Sequence, residues 1–313
     1  MSGTGSHHKV LQAFSVSQSC LVSARFFLPP AELRHYFTTF YLLEWEVSGG
    51  GKVSDHLMPE WANLRFFEPS CAPDARTLGG MALSGATFSA TGPTSQSIAF
   101  SIASGRSWGI GLLPLGWAKF VAADADELAD CVVDGSTHPA FASFRSLGAG
   151  LFGAAPDAAA ELERITQHFL ARLGEAEPDG DRIVRVHQAM IDPETRSIAD
   201  FAGMAGMSQR SLQRLCNRAF GFSPKQLLRR QRFMRSLAHF MLDPSLKWVG
   251  ALDSQYHDQA QFVRDFHEFM GMTPSEYAAM DKPMLEAIMT ERARIAGSPV
   301  QTMDSPNGPP MSG

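Results

Sequence analysis

From Gln18 to about Phe120 the apolar residues fall in short runs broken by Gly, Pro and Ser. Phe40–Val47 (FYLLEWEV), Asn63–Phe67, Ser97–Ile102 and Trp108–Leu113 have the length and aromatic content of strands in an antiparallel sandwich or barrel. Glu44, Glu46 and Arg65 alternate with apolar neighbours, the pattern of half-buried strands. The period changes after Pro114. Asp126–Asp130 reads as a short helix. Pro156–Leu173 reads as a longer one, with Leu162, Ile165, Phe169 and Leu173 spaced by three and four and Asp157 near its positive end. After the acidic breaker Gly174–Asp181 the pattern is helical to about Arg294. The expected fold class is α+β in two domains, a β-rich barrel or sandwich with helices followed by an all-α part. The expected divisions are a mobile tail over 1–15, a β-rich domain over 16–173, a linker over 174–181, a helical domain over 182–296 and a second mobile tail over 297–313.

Within the helical part, the residues fit two helices crossing at a tight turn. Ala202 is small enough for the crossing, Gly206 lies four residues on at the turn, and Leu212 and Leu215 follow where the second helix must dock. Ser208 is the expected N-cap of that second helix. At 100° per residue, Leu212, Leu215, Cys216, Ala219 and Phe220 fall on one side, and Arg210, Gln213, Arg214 and Asn217 on the other. This outer side carries no acid. Guanidiniums and amides together are the groups that bond purine edges in the major groove. The bland alternative is an ordinary solvated face.

A helix of nineteen residues is expected next, from Pro224 to about Leu242, spanning roughly 28 Å. A weaker copy of the pattern follows, with Ala251 at the crossing, Phe262, Phe266 and Phe269 as the buried stripe, and Met270-Gly-Met-Thr-Pro274 echoing Phe220-Gly-Phe-Ser-Pro224.

Charge sharpens this picture. The whole chain of 313 residues carries −5, yet residues 196–242 hold nine Lys/Arg against Asp200 alone, so that segment is +8 and the remainder −13. One anion-binding part in an otherwise acidic chain is the expected reading. Phosphate contacts are expected from Ser208, Arg218, Lys225, Arg229 and Arg230, and the bridging-helix cations Lys225, Arg229, Arg230, Arg232 and Arg235 serve either phosphate contact or packing and solubility. Residues 246–281 carry two basic residues against six acids, so the second copy cannot rely on phosphate attraction. The first copy is expected to dominate affinity, with the second adding modest selectivity.

The stretches SIADFA (197–202), SQRSLQRL (208–215), GFSP (221–224), YHDQAQFVRDF (256–266) and GMTP (271–274) resemble the AraC/XylS-type transcriptional regulators, over about 100 residues from Arg182 to Met280. The resemblance implies two helix-turn-helix units bridged by a rigid helix, with recognition helices in successive major grooves of a double-stranded operator. It further implies transcriptional control in bacteria, more often activation, with contact to RNA polymerase as the alternative role of the second copy. Arg210, Gln213, Arg214 and Asn217 are then the base readers of the first unit, and Gln259 and Arg264 those of the second. Gln255 stands where the family usually has the turn Gly, which predicts strain at a positive φ.

Gly109–Phe120 and Glu127–Asp134 are similar to the N-terminal domains of some of these regulators, cupin-like barrels that sense a ligand, dimerise or both. No His-x-His pair accompanies the resemblance; the scattered His35, His56 and His138 and the tail pair His7-His8 give no metal set, and no cofactor motif occurs. Trp45, Trp61, Phe66, Phe67, Trp108 and Trp117 either fill a core or line a small-molecule effector pocket. The Leu162/Ile165/Phe169/Leu173 stripe either covers the barrel, the favoured reading, or pairs with its twin in a homodimer.

Cys20, Cys71, Cys131 and Cys216 are expected as reduced thiols of a cytoplasmic protein. No apolar run reaches a membrane span, and the polar Met1–Lys9 lacks a signal-peptide core. An enzyme is not expected, since no nucleophile elbow, phosphate loop or zinc motif is present. Two rivals remain. Some DNA-repair alkyltransferases carry the same helical module beside a reactive Cys, for which Cys71 lacks the Pro-Cys-His setting; a protein-interaction module would leave the positive segment unexplained.

Overall fold

The computed structural model of the chain describes residues 13–16, 20–242 and 250–307. Among the described residues eleven strands form two sheets, with every pairing antiparallel. The larger sheet runs in the order β1 (Ala13–Val16), β2 (Cys20–Phe27), β3 (Phe37–Val47), β10 (Gly105–Leu112), β5 (Asn63–Phe67), β8 (Phe88–Thr91) and β11 (Val132–Asp134). The smaller one runs β4 (Lys52–Leu57), β9 (Ile98–Ala103), β6 (Asp74–Thr77) and β7 (Ala82–Ser84). The strand runs expected from the sequence fall on β3, β5, β9 and β10, with Ser97 and Leu113 just outside their strands.

The near-continuous apolar character of β3 has a simple cause: the larger sheet is buried on both faces. Phe40 and Leu42 of β3, Leu64 and Phe66 of β5, and Trp108 and Ile110 of β10 face a helical layer. Tyr41, Leu43, Trp45 and Phe67 face the interior between the sheets. The helical layer comprises α1 (Pro114–Phe120), α2 (Arg145–Gly150) and α3 (Ala158–Leu170). Asp157 caps α3 by accepting a bond from Ala160 N at 3.0 Å. Leu162, Ile165 and Phe169 are buried against the sheet, with Leu173 packed beside them, so this stripe is spent within the chain. Glu161, also buried, accepts bonds from Arg106 Nη1 and Nη2 and from Trp108 Nε1 at 2.7–2.9 Å, which fixes α3 to β10. The short helix expected over Asp126–Asp130 is a 3-10 turn, Ala125–Leu128, and Asp130 itself has φ +56°.

The helical part contains α4 (Gly180–Ile191), α5 (Ile198–Met204), α6 (Gln209–Phe220), α7 (Pro224–Leu242), α8 (Gln259–Met270), α9 (Pro274–Ala279) and α10 (Pro283–Ala296). The expected separation into modules is looser than the structure. The core of α4–α6 includes Trp61, Leu113 and Leu115 from the β-rich part, and the core of α7–α9 includes Met58. The expected linker 174–181 is pinned: Lys119 Nζ donates to Glu175 O, and Asp179 pairs with Arg182 and Arg218.

Two expectations are corrected at the ends of the chain. Residues 13–15, placed in the N-terminal tail, belong to β1; residues 1–12 lie outside the described part. The tail expected from Gly297 is packed instead, while 308–313 lie outside the described residues. Gln301 and Asn63 exchange side-chain amide bonds at 3.0 and 3.3 Å, Arg292 pairs with the buried Asp304, and Gln231 Nε2 donates to Thr302 O at 2.8 Å. Polar composition therefore did not mean mobility here, because Gln301, Thr302 and Asp304 all bond to residues far away in the chain or in the preceding helix.

The preceding helix, α10, lies against β1, β2 and β4 and closes the gap between the two sheets. Asp55 of β4 accepts bonds from Met284 N and Leu285 N at 3.1 and 3.0 Å, capping this helix from another element. Burial pushes the Asp55 carboxyl up to about 6 despite these donors.

Candidate nucleic-acid interface

The first helix-turn-helix is α5–α6. Ser197 and Asp200 form a capping box at the start of α5. Gly206 takes φ +66° at the turn, a conformation open to Gly without steric cost. Ser208 caps α6 by accepting from Ser211 N at 3.2 Å. Leu212, Leu215, Cys216, Ala219 and Phe220 are buried, each large apolar side chain contributing about 1.5–3 kcal/mol. Arg210, Gln213 and Arg214 are exposed and Asn217 is half-buried. Gln213 Nε2 donates to Asn217 Oδ1 at 2.9 Å, one helical turn along the same face. Among the described residues no ion pair engages Arg210 or Arg214.

The second unit repeats the local chemistry with different charge. Asp258 caps α8 by accepting from Gln261 N at 2.6 Å, and Phe262, Phe266 and Phe269 are buried against Phe233 of α7. Gln259 and Arg264 are exposed on α8. The strain expected at Gln255 is absent. Among the described residues Asp130 alone is a non-glycine at positive φ, and Gln255 donates through Nε2 to Pro193 O at 2.9 Å.

The bridging helix α7 departs most from expectation. Arg230, expected at a phosphate, is fully buried. Its guanidinium lies 4.2 Å from the Trp61 ring centroid and donates to Thr94 O at 2.9 Å. Burial lowers its pKa to about 9, with the nearby Asp130 acting the other way. Beside it, burial pushes His187 down to about 3, so this imidazole is neutral at the junction of the two parts. Arg229, also expected at a phosphate, is held by Asp265 and Glu268 at 2.6 and 2.7 Å. Arg232 pairs with Asp265 at 3.0 Å, and Arg235 pairs with Asp253. The acids of the second unit thus neutralise the basic face of α7. The sequence signal for this was Asp265 and Glu268, three apart on one side of α8. Of the expected phosphate contacts, Lys225 is exposed and outside any ion pair among the described residues. Arg218 is exposed but shared with Asp179, and Ser208 is exposed at the α6 N-terminus.

Between the sheets lies an apolar cavity of about 100 Å³, lined in part by Trp45, Phe67, Phe100, Met284 and Ile288, with Arg65, Glu60, Arg292 and Gln301 at polar positions. Trp61, Phe66, Trp108 and Trp117 are packed in cores instead. Arg65 pairs with Glu60 at 2.6 Å, while the buried Nε of Arg292 has no hydrogen-bond partner among the described residues. Burial raises all four thiols, Cys216 to about 12, and Cys71 is buried with its thiol donating to Glu68 O and Arg106 O at 3.4 Å. Among the described residues no helix is long and apolar enough to cross a membrane.

Residues 201–280 match a family described as a helix-turn-helix domain. No curated protein matches the chain. Among solved structures it is similar to ToxT from Vibrio cholerae, at 10% identity and a TM-score of 0.40, over 72% of this chain and 97% of ToxT. For wild-type ToxT with bound unsaturated fatty acid the values are 10%, 0.38, 84% and 96%. For the AraC-like transcriptional activator CuxR they are 13%, 0.31, 74% and 86%. The matched segment holds one helix-turn-helix, α5–α6, and a second capped helix, α8, joined to it by α7, so the C-terminal side of this chain carries a helix-turn-helix domain that resembles the AraC/XylS type.

Proposed function

We propose that this protein is a sequence-specific transcription regulator, more often an activator, which places α6 and α8 in successive major grooves of a double-stranded operator. The observation that carries the reading is the outward, acid-free face of α6. Arg210, Gln213, Arg214 and Asn217 read bases in the first groove, and Gln259 and Arg264 in the second. Ser208, Arg218 and Lys225 contact phosphates. The acidic surroundings of α8 favour a weaker hold on DNA there and a contact with RNA polymerase. The cavity under α10 takes a small apolar effector bearing one hydrogen-bond acceptor, which the unpartnered Arg292 Nε would meet. Its size approaches the ~150 Å³ of an apolar void known to hold benzene.

The test is selection of bound duplexes from a random pool by the purified chain. Two short boxes about one helical turn apart are expected. Recovery of no shared sequence would refute the reading, and a single box would restrict it to the first unit.

A further inference from the structure

Five residues of the β-rich part touch both helix-turn-helix units. Pro93–Ser97 join β8 to β9, and all but Gln96 are buried. At one end, Pro93 abuts Gly221, the residue that ends α6. Gly221 has φ +81°, and a Cβ there would lie 2.6 Å from the Pro93 ring. In the middle, Thr94 O accepts from Arg230 of α7, and Ser95 Oγ accepts from Gln226 Nε2 at 3.1 Å. At the other end, Ser97 N donates to Phe269 O at 2.7 Å and Ser97 Oγ donates to Met270 O at 3.1 Å. Those two carbonyls end α8, and helix ends leave such groups without partners inside the helix. Five residues reach at most about 17 Å, so the C-terminal ends of the two recognition helices are held within the span of one short loop.

Asp130 holds that loop in shape. Its N–H donates to Pro93 O at 3.0 Å, and its carboxylate accepts from Ser95 N at 2.6 Å, Ser95 Oγ at 2.9 Å and Gln96 N at 3.1 Å. It does so from φ +56°, a conformation disfavoured outside Gly and retained where the surroundings over-determine it. Neither the loop nor Asp130 carries a group that reads DNA.

We propose that Asp130 and the Pro93–Ser97 loop form a brace that sets the spacing and angle between the two recognition helices. The β-rich part is then a determinant of which box separation the protein accepts. Bonds to the terminal carbonyls of α8 and the seat under Gly221 fix each helix along its own axis, which contacts to α7 side chains alone do not. The proposal rests on the two-box DNA reading.

The experiment measures the affinity of the purified full chain for its selected operator, for the same operator with one base pair inserted between the boxes, and for the first box alone. Wild type is expected to lose about tenfold or more on the insertion, the scale of one charge-assisted hydrogen bond. Asp130→Gly removes the carboxylate and suits the backbone conformation. It is expected to bind the operator about tenfold less tightly, to lose under about threefold more on the insertion, and to hold the single box as wild type does. Ser97→Ala reads the same quantities with a smaller change, should the first variant fold poorly. Undiminished spacing selectivity in both variants would overturn the brace, as would an equal loss on the single box. A wild type that recognises no duplex overturns the DNA reading itself, and one that selects a single box overturns the brace alone.

Discussion

At the scale of single residues, position in the fold decides what a charge does. Asp55 and Asp304 are held well above their ordinary value of 3.8, both to about 6, and burial is the first cause for each. The folded state therefore binds their protons more tightly. Their contribution to stability is complete below pH 3.8 and is lost as pH rises through about 6. His187 and His168 behave oppositely. Burial lowers them from 6.5 to about 3 and about 4, so their contribution is complete above pH 6.5 and is lost on acidification. Between pH 6 and 4 the two pairs offset each other. Asp55→Asn keeps an acceptor for the α10 N-terminus and removes one carboxyl from the balance. Its stability in urea is expected to fall more steeply with acid than that of wild type, by up to about 1.4 kcal/mol per pH unit. Parallel curves would contradict the assignment. None of this was legible in the sequence, since nothing around Asp55 announces that its carboxylate caps a helix 229 residues away.

Among elements, α6 and α7 mark what a pattern reveals and where it stops. The face of α6 was legible because burial there follows helical period, and the turn was legible because Gly206 and Ser208 each serve a local geometric need. The α3 stripe was legible for the same reason. For α7 the cations were legible, but not which of two uses, phosphate contact or packing, each one has. Arg229, Arg230, Arg232 and Arg235 are turned to Asp265, Glu268, Asp253, Trp61 and Thr94, partners that period along one helix does not disclose. The asymmetry of the two units follows. Arg210→Ala is expected to weaken operator binding by about 1–3 kcal/mol, and Arg264→Ala by less, since three acids surround α8. Titration of both variants against the selected operator reads the difference, and equal losses would count against it.

For the whole molecule, the nominal +8 of residues 196–242 overstates the field that DNA meets. Arg210, Arg214, Lys225 and Arg264 stand outside ion pairs among the described residues, while most other arginines of that segment are matched. With about four free cations at the DNA, log affinity should fall against log salt with a slope between about −3 and −4. Six phosphates neutralised, as the composition alone suggested, would give five or more. Affinity measured across a salt series distinguishes the two.

The closing of the barrel by α10 also orders events during synthesis. Strands β1, β2 and β4 are made first, but the helix that covers them ends at Ala296. At ~5–20 residues per second, translation from residue 13 to residue 296 takes roughly 15–60 s. From the completion of the sheets until then the apolar groove between them lies uncovered, and it is closed only after α6 and α8 have left the ribosome.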